Sequence, residues 1–106
     1  MESSYVVKYD KDVLKVDLNG RLDATNAEGL QEEMKQFIGK KVEKLVFCAK
    51  DLEYISSAGL RVIIFAKQKV GVDAHLYLVG AQEAILNVIK MSGLDNFMTL
   101  QDTYTE

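Results

Sequence analysis

The sequence contains no proline, one cysteine and one histidine in 106 residues, and each scarcity removes a class of explanation. Without proline there is no slow prolyl isomerisation and no proline-stiffened linker. Cys48 has no partner for an internal disulfide, and with His75 as the only histidine the chain lacks the ligand set of a Cys/His zinc site. A reducing, cytoplasmic setting is expected. No stretch approaches 18 uninterrupted apolar residues, and the start MESSYVVKYDKDV has no basic segment followed by an apolar run. Neither a membrane span nor a secretory signal is therefore expected. Positive charge is also in short supply: 13 Lys plus Arg face 16 Asp plus Glu, a formal charge of −3. A protein that neutralises many phosphates is not built this way, so direct nucleic-acid binding is not expected. No repeat, low-complexity stretch or Gly/Ser-rich linker interrupts the chain, which predicts one domain over residues 1–106. At 48% hydrophobic and 27% charged, a chain of this size can bury roughly two-thirds of the surface its unfolded form exposes.

What is present reads as alternating strands and helices. Tyr5, Val7 and Tyr9 share one face of a first strand, Asp10-Lys11-Asp12 makes a turn, and Leu14, Val16 and Leu18 alternate with Val13, Lys15 and Asp17 in a second. A hairpin with one buried face follows. Thr25, three residues before Glu28, predicts a capping box at a helix start. The apolar stripe Ala27, Leu30, Met34, Phe37 and Ile38 continues that helix, and Gly39 is placed to end it. The short apolar run Lys44–Ala49 predicts a central strand covered on both faces. From about Ala58 to Lys69 a helix apolar almost all round either flanks a sheet tightly or offers a partner surface, and Gly71 breaks it. Ala74 to Val79 predicts a strand, Gln82 to Met91 a helix stopped by Gly93, and the remainder a short tail. This order implies an α/β layer with a partly parallel sheet and right-handed crossovers.

The segment Asp51-Leu52-Glu53-Tyr54-Ile55-Ser56-Ser57-Ala58-Gly59-Leu60-Arg61-Val62 sets two adjacent serines before an apolar helix. Either hydroxyl can cap that helix by accepting from a free backbone N–H, worth roughly 0.5–2 kcal/mol. The same free N–H groups and the helix dipole favour an anion, so a serine here can also carry a phosphate without unravelling the fold. Gly59 either packs closely in the first turn or admits another backbone.

This segment resembles the signature of the STAS family, the anti-sigma-factor antagonist domains, commonly Asp-Ser-Ser/Thr-Gly-Leu before a helix. Gly20-Arg21-Leu22-Asp23 is similar to that family's element after the second strand, and Met91-Ser92-Gly93-Leu94 to its element at the end of a late helix. The resemblance implies an α/β STAS-like fold, with a mixed four- to five-stranded sheet packed against three to four helices. It places the family's phosphorylatable serine on Ser57, with Ser56 standing where the family has Asp and Ala58 where it has a second Ser/Thr. The family's interacting Asp falls on Asp23, Gly59 and Leu60 keep their places, and Asn26 joins the same surface. Ile55 and Leu60, as apolar residues near Ser57, are expected to contact a partner. The resemblance further implies partner switching. The unphosphorylated chain binds an anti-sigma factor that is a serine kinase of the histidine-kinase-like ATPase fold, phosphorylation releases it, and a PP2C-type phosphatase reverses the modification. The alternative within the same fold is a scaffold subunit of a transporter complex with no phosphorylation switch.

Catalysis is not expected. Ser57 as a nucleophile needs a base, and His75 lies mid-strand with no Gly-x-Ser-x-Gly elbow around either serine. No Gly-x-x-x-x-Gly-Lys-Ser/Thr run supports nucleotide binding. The clusters Glu28, Glu32, Glu33 and Asp10, Asp12 read as solvated faces, so no metal or other cofactor is expected, and Cys48 reads as a buried small hydrophobe.

Overall fold

The computed structural model describes residues 4–103, and it starts where the alternation predicts. β1 (Ser4–Asp10) pairs antiparallel with β2 (Val13–Leu22), with Asp10 opposite Val13. Between them Lys11 and Asp12 both have positive φ, 51° and 65°, the two-residue turn whose twist matches that of the strands it joins. Leu14, Val16 and Leu18 are buried, and the alternate residues Val13, Lys15 and Asp17 are half-buried on the other face.

Three βα units follow: α1 (Ala27–Met34), β3 (Lys44–Ile55), α2 (Ser57–Phe65), β4 (His75–Val79), α3 (Glu83–Ser92) and β5 (Thr99–Gln101). The sheet order is β1-β2-β3-β4-β5, antiparallel at β1/β2 and parallel elsewhere. Each parallel crossover moves one strand in the same direction. Right-handed crossovers of that kind put every helix on one face of the sheet. The core follows suit: Leu14, Leu45, Phe47, Leu76 and Leu78 from the strands form one cluster with Leu30 and Met34 of α1, Ile63 of α2 and Ile85 and Ile89 of α3. β3 is central, as expected, but it is not covered on both faces. Val46 and Val79 are buried outside that cluster, and because their strand neighbours Leu45, Phe47 and Leu78 belong to it, alternation puts them on the opposite face.

Local corrections have local causes. The Thr25–Glu28 capping box does not form, because the Thr25 hydroxyl donates to Asp23 Oδ1 at 2.6 Å and α1 begins after Asn26 with no side-chain cap. α1 ends at Met34 and tightens into a 3₁₀ turn, Lys35–Phe37. That change of period places Phe37 against Tyr9, ring centroids 5.5 Å apart, and leaves Ile38 50% exposed, off the stripe it was expected to complete. α2 runs on into a π turn, Ala66–Val70, that ends at Gly71. Lys67 Nζ donates to the carbonyls of Gly71, Val72 and Ala74 at 3.1, 2.8 and 2.8 Å, which serves backbone acceptors just past a helix end. α3 ends on Gly93 at φ +80°, a left-handed position that favours glycine. The expected tail contains a 3₁₀ turn, Leu94–Phe97, and the fifth strand. Among the described residues no helix is long and apolar enough to cross a membrane.

Candidate functional site

In a parallel sheet the loops after the strand C-terminal ends are the usual place for binding. Here β2 and β3 end side by side, with Leu22 opposite Ile55. β3 carries two extra residues relative to β2, at register shifts between Asp17/Asn19 and Gly20/Arg21. Bulges of this kind re-aim side chains. Leu52 is turned into the core, Asp51 and Glu53 are turned out, and Ile55 again faces inward. Ile55 is only 4% exposed, so it does not offer the partner contact expected of it; it packs under the site.

The loop from β3 to α2 is held by its backbone. Ser56 N–H donates to the Leu22 carbonyl at 2.9 Å and Leu60 N–H to the Ser56 carbonyl at 3.0 Å, which ties the start of α2 to the end of β2. Gly59 is buried at this crossing. A Cβ there would lie 2.7 Å from both the Leu22 carbonyl oxygen and Ile55 Cγ1, and 3.0 Å from Leu22 Cγ. Its absence is a packing requirement inside the chain, and that accounts for the residue without a second backbone. Ser56 occupies the N-cap position at φ −96°, ψ 177°, yet its side chain makes no cap hydrogen bond. Its Oγ is buried without a partner. Ser57 is the first residue of α2 and is exposed, and Leu60 is half-buried one turn further on.

The neighbouring loop from β2 to α1 is wired by side chains. Asp23 Oδ1 accepts from Thr25 N–H at 3.0 Å and from the Thr25 hydroxyl at 2.6 Å, and Asp23 Oδ2 accepts from Arg21 Nε at 3.2 Å. Asn26 closes the loop in both senses: its Oδ1 accepts from Asp23 N–H at 2.9 Å and its Nδ2 donates to the Arg21 carbonyl at 2.8 Å. The hydrogen bond from the Thr25 hydroxyl, then that from Thr25 N–H, then the Arg21 guanidinium hold the Asp23 carboxyl below the ordinary carboxylate range. Asp23 and Asn26 thus lie in the loop beside Ser57, and their polar atoms shape it. Arg21 and Tyr54 were not singled out by sequence reasoning. They are opposite each other across β2 and β3, and the guanidinium carbon sits 4.1 Å from the ring centroid, a cation–π stack. Only the strand register brings them together, and a single sequence does not display register.

The other residues considered lie apart from this site. Cys48 is on the bare face of the sheet, where burial chiefly pushes its thiol up to about 11 and keeps it protonated and unreactive near neutral pH. His75 is exposed at the start of β4 and pairs in register with Lys44, the first residue of β3. It is a strand length from Ser57 and cannot serve it as a base. A surface concavity of about 620 Å³ is at that same far pole and is lined in part by Lys40, Lys41, Lys44 and Lys69. Among the described residues no group of three His, Cys, Asp or Glu side chains is placed to hold a metal ion.

Comparison with known proteins agrees with this architecture. The chain is 36% identical to a proposed anti-sigma factor antagonist, BtrV of Bordetella bronchiseptica, over 77 residues that span 72% of this chain and 66% of that protein's own length. It is 25% identical to the anti-sigma-F factor antagonist RsfB of Mycobacterium tuberculosis over 97 residues, 88% of this chain and 80% of that one. A crystal structure of a proposed anti-sigma factor antagonist from Thermotoga maritima superposes with a TM-score of 0.80 at 25% identity, covering 93% of this chain and 86% of the other. The STAS domain profile matches residues 4–106, and with the five-stranded mixed sheet, three helices on one face and a serine opening the second helix, this chain belongs to the STAS domain family.

Proposed function

We propose that this chain acts as an anti-sigma factor antagonist in the cytoplasm by partner switching. Unphosphorylated, it binds an anti-sigma factor with serine-kinase activity and so releases a sigma factor. The kinase transfers the γ-phosphoryl group of ATP to Ser57 Oγ, ADP leaves with the displaced charge, the hydroxyl proton is lost, and the phosphorylated chain lets go. A PP2C-type phosphatase resets it. The observation that carries this reading is Ser57 itself: an exposed hydroxyl at the first residue of α2, over a turn whose position is fixed by the Leu22 carbonyl and by Gly59.

Magnitudes locate the switching energy. A hundredfold loss of affinity needs about 2.7 kcal/mol, whereas a helix terminus contributes only about 0.3–1 kcal/mol to a surface anion. Rearrangement driven by the dipole alone falls short. A phosphate of roughly −1.5 to −2 charge, desolvated in an interface or set against acidic groups, supplies the difference. The backbone is therefore expected to change little on phosphorylation.

The test is incubation with the cognate kinase and ATP, followed by mass spectrometry of wild type and Ser57→Ala. Phosphate on wild type alone is expected. Incorporation that survives Ser57→Ala, or none in wild type, would sink the assignment.

A further inference from the structure

The chain has two arginines, Arg21 and Arg61, and both lie at the Ser57 end of the sheet. Arg21 is engaged by Asp23 and stacked on Tyr54. Arg61 is exposed and has no hydrogen bond or ion pair among the described residues. It stands four residues after Ser57 on α2, and residues four apart on a helix are surface neighbours with Cβ atoms about 5–6 Å apart. Helical side chains lean toward the N-terminus, which brings the turn that Ser57 opens within reach of the Arg61 side chain. An anion followed four residues later by a cation is also the favourable order along a helix.

We infer that Arg61 is the intramolecular partner of a phosphate on Ser57, and that modification forms a phosphoserine–arginine pair along the first turns of α2. The inference rests on Ser57 as the modified residue and adds what receives the charge. A guanidinium binds phosphate through two parallel N–H donors, which a lysine ammonium cannot do. Glu28 lines the groove between α1 and α2 together with Arg61, a concavity of about 450 Å³, yet it forms no ion pair with it. A phosphate one helical turn away carries more charge than that carboxylate and is held by the same helix. Phosphorylation then alters the surface twice: it adds negative charge at Ser57 and occupies the one arginine there that no side chain engages. The phosphate is held over the face a partner would cover.

The test uses the full chain with phosphoserine installed at position 57 by codon reassignment, so that no kinase is involved. Phosphorus NMR follows the second ionisation of the phosphate, which lies near pH 6 when unperturbed. Arg61→Gln is expected to raise the midpoint by about 0.15–0.4 pH unit relative to the unsubstituted chain, a difference that shrinks in ~1 M salt. Arg61→Lys is expected to keep part of the lowering. Identical midpoints for the unsubstituted, Arg61→Gln and Arg61→Lys chains overturn the inference, as does a shift that follows Arg21→Gln instead. Failure of the kinase assay above would remove the switching role and leave this titration readable; a flat titration would remove the pair and leave the switch.

Discussion

The two loops at the end of the sheet are immobilised by different means. Between β2 and α1, the side chains of Arg21, Asp23, Thr25 and Asn26 bond to one another and to the backbone. Between β3 and α2, neither Ser56 nor Ser57 makes a side-chain hydrogen bond among the described residues, and position is set by a backbone bond to Leu22 and by the close contact at Gly59. The contrast matters for a residue that has to be modified. A hydroxyl already engaged in holding its own loop would have to give up that bond to be phosphorylated, and the loop would move. Fixing the β3–α2 turn through backbone and buried apolar contacts leaves Ser57 without a structural duty.

The sharpest way to break the contrast is to remove its buried support. Ile55→Ala deletes a core side chain and is expected to destabilise the fold by about 2–5 kcal/mol in urea unfolding, while affinity for the partner, measured on the folded fraction, stays unchanged. A loss of affinity without loss of stability would return Ile55 to the surface role the sequence suggested. Gly59→Ala forces a methyl onto the Leu22 carbonyl and is expected to cost about 1–3 kcal/mol, with amide shifts at both strand ends in NMR spectra. On the wired side, Asn26→Ala removes an acceptor for Asp23 N–H and a donor to the Arg21 carbonyl. A loss of about 1 kcal/mol and faster hydrogen exchange at Asp23 are expected. The smallest effect has the opposite sign. A serine that caps a helix loses roughly 0.5–2 kcal/mol on change to alanine, but the Ser56 hydroxyl is buried without a partner, so Ser56→Ala is expected to leave stability unchanged or to raise it by up to about 1 kcal/mol. A clear loss would show that Ser56 caps α2 in solution.

Much of this architecture is legible in the sequence because it is periodic or punctuated. Leu14, Val16 and Leu18 announce a half-buried strand by simple alternation, and Gly71 and Gly93 mark helix ends. Ser57 is legible too, as a serine opening an apolar helix within a recognisable motif. What is not legible depends on partners distant in sequence or on competition between equivalent groups. The Thr25 hydroxyl can accept from a backbone N–H as a helix cap or donate to the Asp23 carboxylate, and only the closed loop decides between them. The inward rotation of Leu52 comes from bulges against β2, and the three residues of β5 are too few to show a period. The bare second face of the sheet follows from strand order, which hydrophobicity in the run Lys44–Ala49 does not encode.

That strand order also bears on how the chain assembles. Because β1 to β5 are arranged in space as they are in sequence, every strand docks on the edge left by the one before it, and none has to be inserted between two already paired. Contacts between consecutive elements shorten the loops that must close before pairing begins to stabilise them, which favours rapid folding. A chain emerging from the ribosome can therefore add its βα units one at a time from the N-terminal hairpin. Since it contains no proline, its refolding is expected to lack the slow phase of tens of seconds that prolyl isomerisation imposes.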